Sequence, residues 1–282
     1  MIYKLLTTLL LLLTFSNYRQ QKNNEFISGT TSLDYPPNPL IKKGWKVTRH
    51  DEFDELNIDS TLWIPYYLRH RSTDSSTKAS FTLKDNCLVL QINRTGTRVS
   101  SLQTLERENL HKAGKRNIPT LIKFSQKYGF FEIRAKTQIG SGHNCAFWLV
   151  GQQDIENQDA EVDVFEQPGD RGNSNVLFNL HEGKDENLLS KKTQLSSWTC
   201  KLNLVKDLTK TFNIYGLEWD KNLLRFYFNN KLVKEIKASP DYKMGVLLSL
   251  YEANSWFGKV DTTVNYPKEF TIDYFRAYKK VN

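Results

Sequence analysis

A chain of 282 residues with 39% hydrophobic and 12% aromatic side chains can bury the core of one large all-β domain. Its formal net charge is +8, yet its Lys and Arg residues form no block and no aromatic-basic repeat, so nucleic-acid binding is not expected. A basic surface of this kind also suits an anionic polysaccharide, sulfated or uronic.

Taken from its start, the chain opens with Lys4, an apolar run over residues 5–13 and then Thr14-Phe15-Ser16, the pattern of an export signal over residues 1–16. The run is too short to span a bilayer, and no cysteine follows it for lipid attachment. A secreted, periplasmic or cell-surface protein is expected, with no membrane segment once the signal is cleaved. Residues 17–39, rich in Asn, Gln, Ser, Thr and Pro, read as a flexible leader before a single domain over residues 40–282.

From Gly44 onward, strand signals alternate with turns. Residues 87–93, 130–139, 146–150, 176–181 and 212–219 are rich in β-branched and aromatic side chains. Leu223–Phe228 and Lys231–Ile236 make the clearest hairpin, turning at Asn229-Asn230, where two asparagines tolerate positive φ. Residues 195–208 are ambiguous, and no Gly-rich phosphate loop, GxSxG elbow or internal repeat is present. Short strands at about ten-residue spacing predict an all-β sandwich or jelly roll of two antiparallel sheets. Cys87, Cys145 and Cys200 are odd in number and widely spaced; one disulfide of unassigned pairing is open to an exported protein, and buried free thiols are the expected case.

The chain is organised around Asp159-Ala160-Glu161-Val162-Asp163-Val164-Phe165-Glu166-Gln167. Strand alternation puts Glu161 and Asp163 on one face and Ala160, Val162 and Val164 on the other, inside a core. Strict alternation would place Phe165 with the acids. One extra residue, a β-bulge near Val164-Phe165, brings Glu166 round beside them instead. Three carboxylates crowded together raise one another's pKa, a cost that needs a purpose. Cleavage of a glycosidic bond supplies one: an ionised carboxylate attacks the anomeric carbon and a protonated one donates to the leaving oxygen. In a retaining enzyme the two lie about 5–5.5 Å apart. Across the bulge the Cα atoms of Glu161 and Glu166 are expected roughly 13 Å apart, a gap that two Glu side chains leaning together largely close.

Five segments, in order, carry a resemblance: Gly44-Trp45-Lys46-Val47 with Asp51-Glu52-Phe53-Asp54, Tyr128-Gly129-Phe130-Phe131-Glu132-Ile133-Arg134-Ala135-Lys136, Ala146-Phe147-Trp148-Leu149, Glu161-Val162-Asp163-Val164-Phe165-Glu166, and Phe270-Thr271-Ile272-Asp273-Tyr274-Phe275-Arg276-Ala277-Tyr278. Over residues 44–280 the chain resembles glycoside hydrolase family 16, the group of laminarinases, lichenases, agarases and κ-carrageenases, in its bulged ExDxxE branch. The resemblance implies a curved jelly-roll sandwich with a concave substrate cleft. It makes Glu161 the nucleophile, Glu166 the acid/base and Asp163 the residue that hydrogen-bonds the nucleophile.

The same resemblance places Trp148 on the sugar-binding floor, His181 in the cleft and Trp256 on a loop lining it, where indoles bury the apolar faces of pyranose rings. Asn144-Cys145 stand where laminarinases have Trp-Pro, Gln167 follows the acids where an aromatic or hydrophobic residue is usual, and Asn254-Ser255 replace Gly-Gly. These departures fall on the subsites, so Asn144 and Gln167 join the candidate substrate-binding residues. Tyr66, Tyr67, Arg69 and Arg71 read as a solvated loop near the rim. The default substrate is a β-1,3- or β-1,3/1,4-glucan. A β-galactan of agar, carrageenan or mucin type is the competitor, and a non-catalytic carbohydrate-binding protein the alternative of another class. Catalysis by two carboxylates needs no cofactor. A structural calcium ion is common on the convex side of the family, with Asp273 and Glu52 as candidate contributors here. A monomer is expected.

Overall fold

Period-two alternation of apolar and polar residues folds as strands almost wherever the sequence shows it. A computed structural model of the chain describes residues 33–69, 74–107, 118–192, 198–204, 207–261, 263 and 265–281. The expected export signal, the leader as far as residue 32, and Arg71 lie outside the described residues.

The strands are, in chain order, β1 (Trp45–Asp51), β2 (Phe81–Lys84), β3 (Cys87–Ile92), β4 (Val99–Gln103), β5 (Leu105–Glu106), β6 (Leu121–Ile122), β7 (Gly129–Gln138), β8 (His143–Gly151), β9 (Glu161–Pro168), β10 (Asn175–His181), β11 (Cys200–Asn203), β12 (Asn213–Asp220), β13 (Leu223–Phe228), β14 (Lys231–Ile236), β15 (Met244–Glu252) and β16 (Lys268–Lys280). One sheet runs β14-β13-β12-β7-β16-β3-β2 with β1 beside β16, the second β11-β10-β9-β8-β15-β4, and β5 pairs with β6 alone. All pairings are antiparallel, including the hairpin at Asn229 and Asn230, whose φ angles of 48° and 63° are the positive values its turn demands. Short helices cover Asp74–Thr77, Glu186–Lys192 and Asn254–Phe257. None of the described helices is long and apolar enough to cross a membrane.

The two large sheets face each other across a single apolar core. Phe147, Val162, Phe165 and Phe178 from the six-stranded sheet meet Phe131, Tyr215, Phe226, Phe270 and Phe275 from the other. Aromatic pairs stitch the layers together: Phe165 and Tyr215 at 4.0 Å between ring centroids, Phe178 and Phe226 at 5.8 Å, Phe147 and Phe275 at 6.2 Å. Cys87 and Cys145 are buried and Cys200 half-buried, all as free thiols.

The outer face of the eight-stranded sheet is covered by residues assigned above to a flexible leader. Tyr35 donates its amide to the Phe212 carbonyl (2.9 Å), Arg134 Nε donates to the Tyr35 carbonyl (2.7 Å), and Asn38 Nδ2 donates to Glu132 (3.0 Å). Glu132 is fully buried; Lys42 Nζ (3.1 Å) joins Asn38 on its Oε2, and Arg276 Nη1 lies 3.9 Å from its Oε1. Residues 34–38, within the expected leader, are thus packed against the sheet. On the same face Asp273 pairs with Arg134 at 2.8 Å, and Glu52 takes two hydrogen bonds from Arg276 at 2.9 and 2.6 Å. With both carboxylates committed to arginines, this pair does not fit the calcium role considered for it.

The bulge lies where the sequence placed it. Against β8, Trp148 pairs with Asp163 but Phe147 pairs with Phe165, so Val164 is the extra residue. Against β10, Asn179 pairs with Asp163 and Leu177 with Glu166. Val164 and Phe165 both turn into the core and are fully buried. Phe165→Ala is expected to lower the unfolding free energy by about 3–5 kcal/mol in a denaturant titration, the range for emptying a buried Phe site.

Candidate active site

The open face of the six-stranded sheet is where β9 presents its acids. Glu161 is half-buried, Asp163 almost fully buried, and Glu166 half-buried. β10 brings His181 opposite Glu161 and Asn179 opposite Asp163. His181 Nε2 lies 3.1 Å from Asp163 Oδ2, 4.0 Å from Glu161 Oε1 and 2.8 Å from Asn179 Nδ2. Thr199 Oγ1 donates to Asn179 Oδ1 at 2.8 Å and fixes that amide. His181 thus stands among the acids.

β8 supplies the other wall. Ala146 is the cross-strand partner of Glu166, and its small side chain leaves room for Asn144, on the diagonal, to reach over it. Asn144 Nδ2 donates to Glu166 Oε1 at 2.9 Å and to Tyr251 Oη at 2.8 Å. Asn144 is fully buried, so it touches the acid and not an open subsite. Gln167 is corrected more sharply. With Glu166 on the open face, the next residue turns inward, and Gln167 is fully buried with its amide oxygen bonded to Thr137 Oγ1 inside the sandwich.

Trp148 is on the right face but does not form an open floor. It is only 6% exposed, its Nε1 donates to Ser249 Oγ at 3.0 Å, and the Tyr67 ring packs against it with centroids 6.4 Å apart. Tyr67 also stacks on Tyr251, centroids 6.2 Å apart, and so belongs to the site and not to a solvated loop. Arg69 is held by the buried Glu106 carboxylate and is spoken for. Trp256 is 69% exposed on its short helix and lines a groove of about 670 Å³ with Tyr67, Tyr251, Arg98 and Glu252. Glu252 anchors the far end: His143 Nε2 (3.2 Å), Arg98 Nη1 (3.4 Å) and the Tyr266 hydroxyl (3.2 Å) all reach its Oε2.

The electrostatics divide the acids. Burial pushes the Asp163 carboxyl well above the usual carboxylate range; the Glu166 charge adds to that push, while hydrogen bonds with Glu161 and Asn179 oppose it. Burial also raises Glu166, against the Asn144 hydrogen bond, the His181 and Arg171 charges and the Tyr251 hydroxyl. Oxygens of Glu161 and Asp163 and a ring nitrogen of His181 lie within 4.8 Å of one another. Glu161 and Asp163 are also hydrogen-bonded together, which lets the pair share a proton.

A family model for glycosyl hydrolases family 16 matches residues 70–275. The chain belongs to that family. Among curated relatives, it is 26% identical over 176 residues to a keratan-sulfate endo-1,4-beta-galactosidase from Sphingobacterium multivorum, covering 57% of this chain and 39% of the relative. It is 23% identical over 279 residues to glucan endo-1,3-beta-glucosidase A1 from Niallia circulans, covering 88% of this chain and 40% of the relative. The chain thus spans about two fifths of the length of each. Among solved structures, a GlcNAcα1-4Gal releasing endo-β-galactosidase from Clostridium perfringens superposes with a TM-score of 0.80 at 30% identity, over 88% of this chain and 66% of that one. The laminarinase catalytic domain of Thermotoga maritima gives 0.63 at 22% identity, over 85% of this chain and 100% of that one, and shares the jelly-roll fold.

Family members differ in substrate, but the titration of the site can be read without one. In a carbon-13 NMR titration, the carboxyl signal that disappears in Glu166→Gln should show a midpoint above the ordinary glutamate value of 4.5.

Proposed function

We propose that the protein is an endo-acting retaining glycosidase in which Glu161 attacks the anomeric carbon and Glu166 serves as acid and then base. What carries the reading is the strip of three acids on the open face, with Glu166 raised in proton affinity by burial, in a member of a glycosidase family. Glu166 gives its proton to the leaving oxygen as the Glu161 carboxylate forms the glycosyl-enzyme bond. Water then attacks the same carbon, Glu166 takes the water's proton, and Glu161 is released as carboxylate. Asp163, kept protonated in its buried position, shares a hydrogen bond with Glu161 and so favours the ionised form of the nucleophile.

The substrate we infer is a β-galactose-containing glycan of keratan or mucin type. Its support is the similarity to two endo-β-galactosidases, one of them at a TM-score of 0.80 and 30% identity, together with a net charge of +8 that suits sulfated or sialylated chains. A β-1,3-glucan is the second reading, favoured by the alignment to the Niallia circulans glucanase over 88% of this chain. The Lys4 and apolar-run pattern supports export, which would bring the enzyme to extracellular glycans as a monomer.

Digestion of keratan sulfate, mucin-type oligosaccharides, agarose, carrageenan, laminarin and mixed-linkage glucan, with chromatography of the products, separates the two readings. Oligosaccharides from the first two alone are expected, and release from laminarin alone would establish the second. Glu161→Gln and Glu166→Gln should each lower turnover by at least about 10²–10⁴-fold. Azide should restore turnover to Glu166→Ala, and proton NMR of early product should show retained configuration. Full activity in either Gln variant would overturn the assignment.

A further inference from the structure

Asn144 is the residue whose position the family resemblance explains least, and its surroundings are specific. Its Nδ2 has two hydrogens, and both are used: one points to Glu166 Oε1 at 2.9 Å, the other to Tyr251 Oη at 2.8 Å. The Tyr251 hydroxyl also faces the Glu166 carboxyl and favours its ionised form. Since that hydroxyl accepts from Asn144, its own hydrogen is free to turn towards Glu166, so the carboxyl takes one hydrogen bond from Asn144 and has a second donor beside it. Both partners are rigidly placed. Asn144 lies in the middle of its sheet, fully buried, directly across from Tyr251. The Tyr251 ring is packed against Tyr67 and, edge-on, against Phe257 at 5.5 Å.

We propose that Asn144 and Tyr251 are positioning residues that clamp the Glu166 carboxyl in the orientation from which it serves the leaving oxygen, and that the amide at position 144 is there for the acid and not for a sugar. The proposal rests on the reading of Glu166 as the acid/base. A carboxyl able to swing among rotamers would spend little time within reach of one oxygen, and positioning of this kind is worth orders of magnitude in rate. The clamp has an electrostatic side. The groups that face Glu166 are Asp163 on its own strand, His181 on β10, Arg171 on the following turn, Tyr251 on β15 and Asn144 on β8. Burial favours the protonated acid; Asn144, His181, Arg171 and Tyr251 favour the carboxylate. Asn144 and Tyr251 thus offset the burial, so that the same group that donates a proton in the first step can be deprotonated to accept one in the second.

The test uses Tyr251→Phe, which keeps the ring, and Asn144→Ala, each checked for its fold by circular dichroism. The substrates are the oligosaccharide cleaved by the native protein and a dinitrophenyl β-glycoside of the same glycone, whose leaving group needs little protonation. Each folded variant should lose roughly 10–100-fold in kcat/KM on the oligosaccharide and far less on the aryl glycoside, with KM nearly unchanged. The alkaline limb of kcat/KM on the oligosaccharide should move up by about one unit, the effect of removing one ordinary hydrogen bond to the carboxylate. An unmoved limb in either folded variant, or equal losses on both substrates with a raised KM, would overturn the clamp and return Asn144 to a subsite or packing role. Should Asn144→Ala fail to fold, Tyr251→Phe alone decides. Activity surviving in Glu166→Gln would instead overturn the underlying assignment of the acid/base, which keeps the two failures apart.

Discussion

The site depends on one insertion in one strand. A strand without it would turn Glu166 into the sandwich and Phe165 out to water. With Val164 as the extra residue, Val164 and Phe165 both pack inward, and Glu166 returns to the side of Glu161 and Asp163. The bulge is held from beneath, because Phe165 sits against Tyr215 with ring centroids 4.0 Å apart and against Phe270 at 5.9 Å. Packing energy in the core therefore maintains a charge arrangement on the surface above it that electrostatics alone would disperse.

The neighbouring strands then make the crowding tolerable. β10 brings a histidine and an asparagine to Asp163, β8 and β15 bring an asparagine and a tyrosine to Glu166, and Ala146 leaves the room these partners need. Antiparallel pairing achieves this because side chains on one face of adjacent strands stand opposite or diagonal to one another. Three acids in a row thus have different surroundings although they lie on one strand.

Much of this was legible in the sequence, and what was not has a common cause. The strands, the asparagine hairpin, the bulge and the acid strip follow from alternation within single segments, which needs no knowledge of neighbours. Gln167 was assigned to the cleft by its place beside the motif, although the parity that turns Glu166 outward turns it inward. Asn144 was placed on the correct face, but its target was legible only once β8 was known to lie between β9 and β15. Asn179 and Tyr251 were missed for the same reason: they reach the site through register between strands, whereas Tyr67, read as part of a solvated loop, packs onto the site from that loop. Alternation along β15 already set Tyr251 on the same side as Leu247 and Ser249, so only the pairing partner was lacking.

The strap formed by Asp34 to Asn38 has a practical consequence. It crosses the outer side of the eight-stranded sheet, with the whole thickness of the sandwich between it and the acids, and supplies one of the donors to the buried Glu132 carboxylate. An affinity handle or a tethered module joined ahead of residue 33 would therefore project from the back of the molecule and leave the groove clear. A clone trimmed at residue 40, the boundary that composition suggests, would strip a hydrogen-bond donor from a carboxylate sealed away from water.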